Sequence, residues 1–364
     1  MTRFGLVGCG AIHTTHADAL KGVSGAVLAG VYDVVPGRAA TAGEKYGVTA
    51  FASLEALCGA VDAVSVCVPS GLHAEVALAC ARKGKHVIVE KPIDTTLEKA
   101  EALVRGCREA GVKLGVISQH RFARQIGRLR QAAQEGELGR LLAGDASVKW
   151  YRTQQYYDSG DWRGTWALDG GGCLMNQGIH TIDMISWIMG GVKSVQAMVR
   201  TAAHDIEVED QANVLVEYRN GAVGVIQGST CTYPGFAERL EVYGEHGAAI
   251  IEGDRTKVWR VDPERAKLGK YGDGVMGQPT PSLHLAGAAE WTEEDPTANW
   301  GEQHRLQLQD FADAIRDDRE PFITGEMALE PLRTILAIYE SSRQGGARVE
   351  LTGSAESYSA DGRP

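Results

Sequence analysis

The sequence predicts an α/β fold with an N-terminal doubly wound parallel sheet and a C-terminal α+β domain that has a large, mostly antiparallel open sheet. In residues 1–122, short apolar runs alternate with helical segments, which is the pattern of parallel strands joined by crossover helices. A glycine loop, Gly8-Cys9-Gly10, directly follows the first run. In residues 123–353, β-rich runs follow one another, and Asn220-Gly221 between two of them predicts a hairpin. Residues 354–364 are small and polar, so we expect a flexible tail there.

The composition is that of an ordinary globular protein. The 364 residues are 44% hydrophobic and 23% charged, and the net charge of −10 without a Lys/Arg cluster argues against a nucleic-acid surface. The chain has no apolar run of about eighteen residues and opens without the pattern of a signal peptide, so we expect neither membrane insertion nor secretion. Seven cysteines without a C-x-x-C pair indicate a reducing cytoplasm. No Cys/His cluster has ligand spacing, so we expect no metal site.

The glycine loop lies between a predicted strand at residues 3–7 and a predicted helix at residues 14–20, which Thr14 or Thr15 could cap. This order lets a G-x-G turn hold a dinucleotide pyrophosphate against the N–H groups of a helix N-terminus. The third small residue of the fingerprint is His13 here, where glycine or alanine normally permits close packing. The expected cofactor contacts in the loop are Gly8, Gly10, Ala11 and Ile12.

The second predicted strand, at residues 27–32, ends on Asp33, about 20 residues after the glycine loop. An acid at that offset accepts hydrogen bonds from both ribose hydroxyls of the adenosine and repels a 2′-phosphate. Arg38, at the start of a helix over residues 37–46, could instead host such a phosphate or be a surface residue. The prediction is therefore NAD as the cofactor, ahead of NADP.

The alternation continues to residue 116. Ser53 caps a short helix that runs through residue 58. Further strands are predicted at residues 63–68, 86–90 and 113–116, and further helices at 72–83 and 96–110. The carboxyl ends of parallel strands share one edge of the sheet, where ligands bind. The residues at these ends, which we expect to line one crevice, are Gly8, Asp33, Pro69, Lys91 and Ser118.

One of these strands carries a candidate for chemistry. Its apolar residues 87–89 end on Glu90-Lys91-Pro92, because proline cannot continue the ladder. A strand that is buried on both faces reads as an apolar run, so this one brings Lys91 to the ligand edge. The alternative is that Lys91 pairs with Glu90 or another acid at a solvated strand end.

The segment over residues 150–166 is dense in tryptophan and tyrosine. It follows Gln119-His120-Arg121-Phe122, a predicted helix at 123–135 and a strand at 143–149. Aromatic faces cover the C–H face of a pyranose while arginines donate hydrogen bonds, so the segment is a candidate sugar surface. The alternative is a loop that packs its own aromatics together or seals a subunit contact. The candidate substrate contacts are Arg121, Tyr151, Arg152, Tyr156, Trp162, Arg163 and Trp166.

A predicted helix at residues 174–189 follows three glycines that let its N-terminal end approach a ligand. Asn176, His180 and Asp183 are spaced to share one face of it. A lone histidine on a helix is more often structural, but a polar line opposite an apolar face favours function here. Later strands are predicted at 194–200, 211–218, 222–230, 239–243 and 248–252, little regular structure at 262–299, and helices at 304–316 and 325–342.

Four segments together resemble the Gfo/Idh/MocA oxidoreductases, over roughly residues 3–345. The resemblance implies a Rossmann domain followed by an α+β domain whose open sheet supports dimers or tetramers. It implies oxidation or reduction of sugars, inositols and related polyols with NAD or NADP. The segments are residues 8–10, 68–75, 84–92 and 170–183.

The resemblance also implies roles for individual residues. Lys91 would contact the cofactor and the substrate hydroxyl, and His180 would act as the acid or base. Many members carry aspartate where this chain has Asn176, and because an amide cannot take a proton, Asn176 would instead orient a hydroxyl and leave His180 or Lys91 as the base. Asp183 would orient His180 or contact a sugar hydroxyl. The alternative is that Asp183 only forms a hydrogen bond within the protein. Beyond the glycine loop, Asp33 and Arg38, the expected cofactor contacts are Pro69, His73, Glu90, Lys91 and Gln119.

The leading hypothesis is an NAD-dependent dehydrogenase that acts on a ring hydroxyl or keto group of a sugar, glycoside or cyclitol. A nucleotide-sugar 3-dehydrogenase is the first alternative, and it would need a basic pocket formed by Arg121, Arg124, Arg152 and Arg163. The second alternative is a non-catalytic NAD(P)-binding regulatory protein. Such a protein would act as a sensor and would have no need of Lys91 and His180.

Overall fold

A computed structural model describes residues 1–264 and 300–351, apart from the side chain of Trp300. The predicted tail at 354–364 lies outside these residues, as does nearly all of the predicted irregular segment at 262–299. None of the described helices is both long enough and apolar enough to span a lipid bilayer.

The N-terminal part is a doubly wound, six-stranded parallel sheet, as predicted. Its strands are β1 (Thr2–Val7), β2 (Ala26–Tyr32), β3 (Thr49–Ala50), β4 (Ala63–Val66), β5 (His86–Val89) and β6 (Leu114–Val116). Its helices are α1 (His13–Leu20), α2 (Pro36–Tyr46), α3 (Leu54–Ala60), α4 (His73–Ala81) and α5 (Leu97–Glu109). The strand order is β3-β2-β1-β4-β5-β6, and all the pairs are parallel. The two-residue strand β3 was not predicted, because it is too short to carry a periodic signal.

Helix caps in this part were predicted with mixed success. The Ser53 side chain caps α3 as predicted, and the Thr96 side chain caps α5. The predicted cap of α1 is wrong: its first turn has no side-chain cap, and the Thr14 hydroxyl donates instead to the Ala11 carbonyl at 3.1 Å. The first turn of α1 also contains no acidic residue. The N-terminal end of α1 therefore keeps its positive character.

The C-terminal part is a mostly antiparallel eight-stranded sheet, again as predicted. Its strands are β7 (Leu141–Lys149), β8 (Val192–Arg200), β9 (Gln211–Tyr218), β10 (Val223–Ser229), β11 (Arg239–Gly244), β12 (Gly247–Glu252), β13 (Arg255–Val261) and β14 (Val349–Glu350). The helices are α6 (Arg124–Gln134), α7 (Gln154–Asp158), α8 (Ile179–Met189), α9 (Trp300–Arg316) and α10 (Gly325–Arg343). The order is β13-β12-β11-β7-β10-β9-β8-β14, and the β7–β10 pair is parallel. Strands β13 and β14 were not predicted.

The predicted continuous helix at 174–189 is wrong in its first part, because Cys173–Gly178 form a π-helix before α8 begins. The Glu209 carboxylate accepts the N–H groups of Gly172 and Leu174, both at 2.9 Å, and so fixes the start of this turn. A side chain at Gly172 would place its Cβ 1.7 Å from the Glu209 carbonyl oxygen. Only glycine therefore allows this approach. Wide turns of this kind recur at functional sites, since they alter which side chains face a ligand.

The two sheets share helices and apolar contacts. Helix α10 packs on β8, α8 and α5, while α9 returns to α1 and β1. Phe311 of α9 meets Phe4 of β1 with ring centroids 6.3 Å apart, and both are almost fully buried. Every residue of α8 except His180 is buried, which makes α8 the central support for the site described next.

Candidate functional site

The glycine loop after β1 is shaped for close contact with a ligand. Gly8 has φ +93°, and a Cβ there would lie 2.6 Å from the Cys67 carbonyl oxygen, whereas the space around Gly10 is open. Asp33 fastens the loop by accepting the N–H groups of Cys9 and Val35, each at 2.7 Å. Its carboxylate therefore lies beside the loop, at the end of β2.

His13 occupies the third fingerprint position without blocking helix packing. Its ring lies edge-on to Tyr46 of α2, with centroids 6.1 Å apart, and its Nδ1 contacts the Gly10 carbonyl. The side chain thus points across to α2 and not into the sheet. Arg38 is exposed on α2 and forms no ion pair among the described residues.

Pro69 and His73 lie where β4 and β5 end. His73 is buried, and its ring nitrogens contact the carbonyl oxygens of Pro92 at 2.6 Å and Val68 at 2.9 Å. Burial lowers the pKa of His73. These contacts link the segments that follow β4 and β5, so His73 supports the crevice from within the protein.

Glu90 lies below the crevice floor. Its Oε1 bonds His16 Nε2 at 2.8 Å and is 3.7 Å from His304 Nε2, while Oε2 accepts the Lys91 N–H at 3.1 Å. His16 Nδ1 in turn accepts from the Ser65 hydroxyl at 2.7 Å. Burial opposes the charge, but the bonds to the two histidines hold the pKa of Glu90 well below its ordinary value. The site therefore has a fixed negative charge next to Lys91.

Lys91 connects the parallel sheet to the π-helix. Its Nζ donates to the Asn176 carbonyl at 2.9 Å and lies 3.4 Å from the Asn176 Oδ1. The Asn176 amide donates to Asp169 at 2.8 Å, and Asp169 also accepts the Gly164 N–H at 3.0 Å. Burial lowers the pKa of Lys91, while Glu90 and Asp169 oppose that shift. The alternative was that Lys91 forms an ion pair with an acid at an exposed strand end. Its ammonium group instead bonds the carbonyl and amide oxygens of Asn176.

Asp169 was missed in the sequence, although it immediately precedes the glycines at 170–172. Its side chain is buried, and burial raises its pKa despite the bonds from Gly164 and Asn176. An acid next to a glycine stretch is common in turns, so its position alone gave no reason to select it.

His180 faces a small cavity of about 10 Å³ that it shares with Lys91 and Ser118. Its ring packs on His120, with centroids 4.7 Å apart. Burial, followed by the charges of His120 and Lys91, holds the pKa of His180 well below its ordinary value. His180 is therefore a neutral imidazole at pH 7. His120 was also missed, and burial lowers its pKa to about 4.

Asp183 and Arg121 pair with each other. The Arg121 guanidinium donates to both carboxylate oxygens, at 2.8 and 2.5 Å, and it lies 4.9 Å from the Trp187 ring centroid. Both charged side chains are at most 4% exposed. These two predicted substrate or catalytic residues therefore have their polar atoms directed at each other.

The aromatic segment packs largely on itself. The Arg163 guanidinium donates to the Tyr156 hydroxyl at 2.7 Å and lies 4.5 Å from the ring centroids of both Tyr156 and Trp162. Trp166 is 45% exposed and meets Tyr339 edge-on at 5.2 Å. The Tyr156 hydroxyl also accepts from Gln177 of the π-helix at 3.1 Å, which ties the segment to the site.

Tyr151 and Arg152 line a second, larger cavity of about 420 Å³, which we call the side cavity. His120, whose ring packs on His180, is one of its lining residues, so the side cavity lies close to His180. Its volume is in the range of small-molecule sites. Its polar and aromatic lining includes His120, Trp150, Tyr151, Arg152, Glu238 and Asp254.

The crevice fits a nicotinamide dinucleotide. The N-terminal end of α1 has no capping side chain, and its first turn has no acidic residue that would compete with a pyrophosphate. Gln119, just after β6, is buried, and its Oε1 has no hydrogen-bond partner among the described residues. A buried acceptor without a partner is costly, so this amide is suited to an N–H of a bound ligand.

Comparison with known proteins agrees with this geometry. Residues 2–118 match the family model described as "Oxidoreductase family, NAD-binding Rossmann fold", and residues 126–250 match "GFO/IDH/MocA C-terminal domain". A 1,5-anhydro-D-fructose reductase from Ensifer adhaerens is 30% identical over 362 residues, which cover 97% of this chain and all of the relative. The chain belongs to the Gfo/Idh/MocA oxidoreductase family. The resemblance seen in the four sequence segments is thus confirmed.

The chain is also similar to named dehydrogenases from other organisms. A myo-inositol 2-dehydrogenase from Thermotoga maritima is 29% identical over 288 residues, covering 74% of this chain and 81% of the relative. The WlbA dehydrogenase from Bordetella pertussis, solved in complex with NADH and UDP-GlcNAcA, is 32% identical with a TM-score of 0.84. That match covers 97% of this chain and 98% of the other. The family's sugar and inositol dehydrogenases include both NAD- and NADP-dependent members.

Proposed function

We propose that this Gfo/Idh/MocA oxidoreductase transfers hydride between NAD and a secondary hydroxyl or keto group on the ring of a sugar, glycoside or cyclitol. The observation that carries the proposal is the convergence of Lys91 and His180 on one small cavity at the ligand edge of the parallel sheet. Bound NAD supplies the hydride acceptor. Residues 1–122 would bind the cofactor and residues 123–353 the substrate.

Lys91 holds the reacting hydroxyl and stabilises the negative charge that develops on its oxygen. The Asn176 carbonyl accepts a bond from the ammonium group and the charge of Glu90 favours its protonated form, so little reorganisation is needed when the negative charge appears on the substrate oxygen. Because Nζ has three donors, bonds to Asn176 leave capacity for a substrate oxygen. Asn176 thus acts on the lysine and does not itself move a proton.

His180 accepts the hydroxyl proton. Its imidazole is neutral at pH 7 because burial and neighbouring positive charge lower its pKa, so a nitrogen lone pair is available. His120 packs against the ring and limits its orientation. After transfer, the Glu90 carboxylate helps to offset the positive charge of the imidazolium.

NAD is favoured over NADP because Asp33 lies beside the glycine loop, where a 2′-phosphate would meet its charge. Arg38 is exposed and not paired with Asp33, so it does not cancel that charge.

The test is NAD reduction by the purified protein with a panel of pyranoses, methyl glycosides and cyclitols, followed by absorbance of the reduced nicotinamide. Lys91→Ala should lower kcat/KM by about a hundred- to a thousandfold, as expected when a transition-state charge loses its main donor. Lys21→Ala, which removes an exposed lysine paired with Asp18, is the control and should retain activity. A Lys91→Ala enzyme that is folded and fully active would contradict the proposal.

A nucleotide-sugar dehydrogenase is the second candidate, favoured by the similarity to WlbA in its complex with NADH and UDP-GlcNAcA. Arg121 is paired with Asp183, so a diphosphate would depend on Arg124, Arg152 and Arg163. Calorimetry with UDP alone separates the candidates. Micromolar binding would support the nucleotide-sugar reading, and no binding at millimolar UDP would reject it.

We also propose that a second copy of the chain covers the outer face of the eight-stranded sheet. Met198, Leu215 and Val223 lie on three neighbouring strands and are 57–70% exposed. Exposed apolar patches of this kind usually mark an interface. Leu215→Glu should shift the mass measured by light scattering to a smaller species, and an unchanged mass would argue for a different interface.

A further inference from the structure

The side cavity has charges that the proposed reaction does not use. Glu238 and Asp254 both line it, and neither forms an ion pair with a residue that the structure describes. Glu238 accepts a bond from the Thr181 hydroxyl at 2.8 Å, and the Gln125 amide lies 3.4 Å from Asp254. Both of these partners are neutral. Neither carboxylate therefore has a cationic partner among the described residues.

The two carboxylates are close enough to influence each other. Burial raises the pKa of Glu238 to about 7, and the charge of Asp254 adds to that shift. Placing like charges in a poorly hydrated wall is unfavourable unless a cation joins them. Since no cation among the described lining residues pairs with them, a cationic ligand would be stabilised beside them.

Other lining residues of the side cavity suit a sugar ring. The Arg152 guanidinium lies 5.0 Å from the Trp150 ring centroid, and its Nε is buried with no hydrogen-bond partner in residues 1–264 and 300–351. Phe236, at the rim of the cavity, is 57% exposed. Aromatic faces for C–H groups and one unsatisfied donor for a hydroxyl oxygen are together what a pyranose needs.

The position of the cavity relates it to the reacting group. His120 lines the cavity and also packs on His180, and Thr181, which bonds Glu238, is the next residue after His180 on α8. A substrate that reaches both Lys91 and this space would pass beside His120. A diphosphate there would meet two carboxylates and one arginine, so the charge balance disfavours it.

We propose that the side cavity binds the part of the substrate remote from the reacting hydroxyl, and that Glu238 and Asp254 select a protonated amine there. The substrate is then an amino sugar or an amino-substituted glycoside. This inference rests on the proposed dehydrogenase function and deepens it.

The test compares matched substrates with the full-length protein and NAD. Methyl glucosaminides and two-ring amino glycosides are assayed against their N-acetylated and hydroxyl counterparts, which have the same ring but no charge. The amine should be preferred in kcat/KM by at least about tenfold, in line with the value of a charge pair removed from water. Calorimetry on the NADH-loaded protein should give the same order of affinities without turnover.

Two variants assign the preference to the acidic wall. Glu238→Gln and Asp254→Asn keep the shape of the wall and should each lower kcat/KM for the amine by about tenfold, while the N-acetylated counterpart changes by less than about twofold. Glu245→Gln is the matched control, because Glu245 is exposed in the turn between β11 and β12 and pairs with Arg140. It should leave the preference unchanged.

The outcomes separate this inference from the proposed function. Equal rates with amine and neutral sugars, or a preference that survives both cavity variants, would overturn the inference and leave the dehydrogenase function standing. Preference for a UDP-sugar would overturn it in favour of a nucleotide-binding cavity. Binding of the amine to NADH-loaded protein without oxidation of any sugar would support the cavity's selectivity and contradict the proposed function.

Discussion

The Arg121–Asp183 pair allows the most direct test of whether a predicted catalytic residue is structural. Asp183→Asn keeps the size of the side chain but removes its charge, leaving a guanidinium that is 1% exposed without its carboxylate partner. Breaking a buried pair in this way costs about 3–5 kcal/mol. At about 2–4 °C per kcal/mol for a chain of this size class, Tm should fall by roughly 6–20 °C.

The assay is thermal unfolding by calorimetry, followed by KM and kcat at a temperature where both proteins are folded. Glu245→Gln is again the control, because its pair with Arg140 is exposed, and such pairs contribute about 1 kcal/mol or less. Its Tm should change by less than about 4 °C. The double variant Arg121→Met with Asp183→Leu should recover much of the lost stability, since an apolar pair can replace a buried ion pair.

The result that would refute the structural assignment is an Asp183→Asn protein with wild-type Tm and a kcat reduced by two or more orders of magnitude. That pattern would mean that Asp183 acts on the reacting groups and that the pair with Arg121 opens in the working enzyme. A large fall in Tm with near-normal kcat would support a structural role for Asp183.

Three further predictions concern the charges and backbone of the site. First, kcat/KM for oxidation should show no acid limb near pH 6.5, because His180 is already neutral there. At high pH, kcat/KM should fall as Lys91 loses its proton, and this alkaline limb should lie below pH 10.5 because the pKa of Lys91 is lowered. Lys91→Arg should move that alkaline limb upward, whereas a rate that rises through this limb would identify Lys91 as the base. Second, Asp33→Ser should lower the NAD/NADP ratio of kcat/KM by about tenfold or more, because the charge that repels a 2′-phosphate is gone; an unchanged ratio would reject Asp33 as the determinant. Third, Gly172→Ala should abolish activity or folding because its Cβ would lie 1.7 Å from the Glu209 carbonyl oxygen, while Gly127→Ala, where a Cβ meets nothing within 4 Å, should not. An active, stable Gly172→Ala enzyme would show that the start of the π-helix can relax.

Much of the fold follows from local patterns. The apolar runs and their punctuation predicted five of the parallel strands, the hairpin at Asn220-Gly221 and the closing helices, because periodicity and turn chemistry are properties of neighbouring residues. The same reasoning failed for residues 173–178. There, the π-helix is held by Glu209, which lies far along the chain, so no local signal distinguishes it from an α-helix.

The candidate site divides in the same way. The sequence by itself selected Lys91 and the glycine loop as site candidates, because the residues at the carboxyl ends of buried parallel strands lie at the ligand edge of the sheet. It could not decide what Lys91 bonds, since Asn176 is 85 residues away, nor that Asp169 supports Asn176.

Only the tertiary structure decided the partners of the charged residues. In the folded chain, Asp183 pairs with Arg121, and Glu90 lies between two histidines. Glu238 and Asp254 both line the side cavity. The physical reason is that a charge removed from water must be matched by whatever group packing brings within reach. That group is chosen by contacts between distant segments, and no pattern of neighbouring residues specifies it.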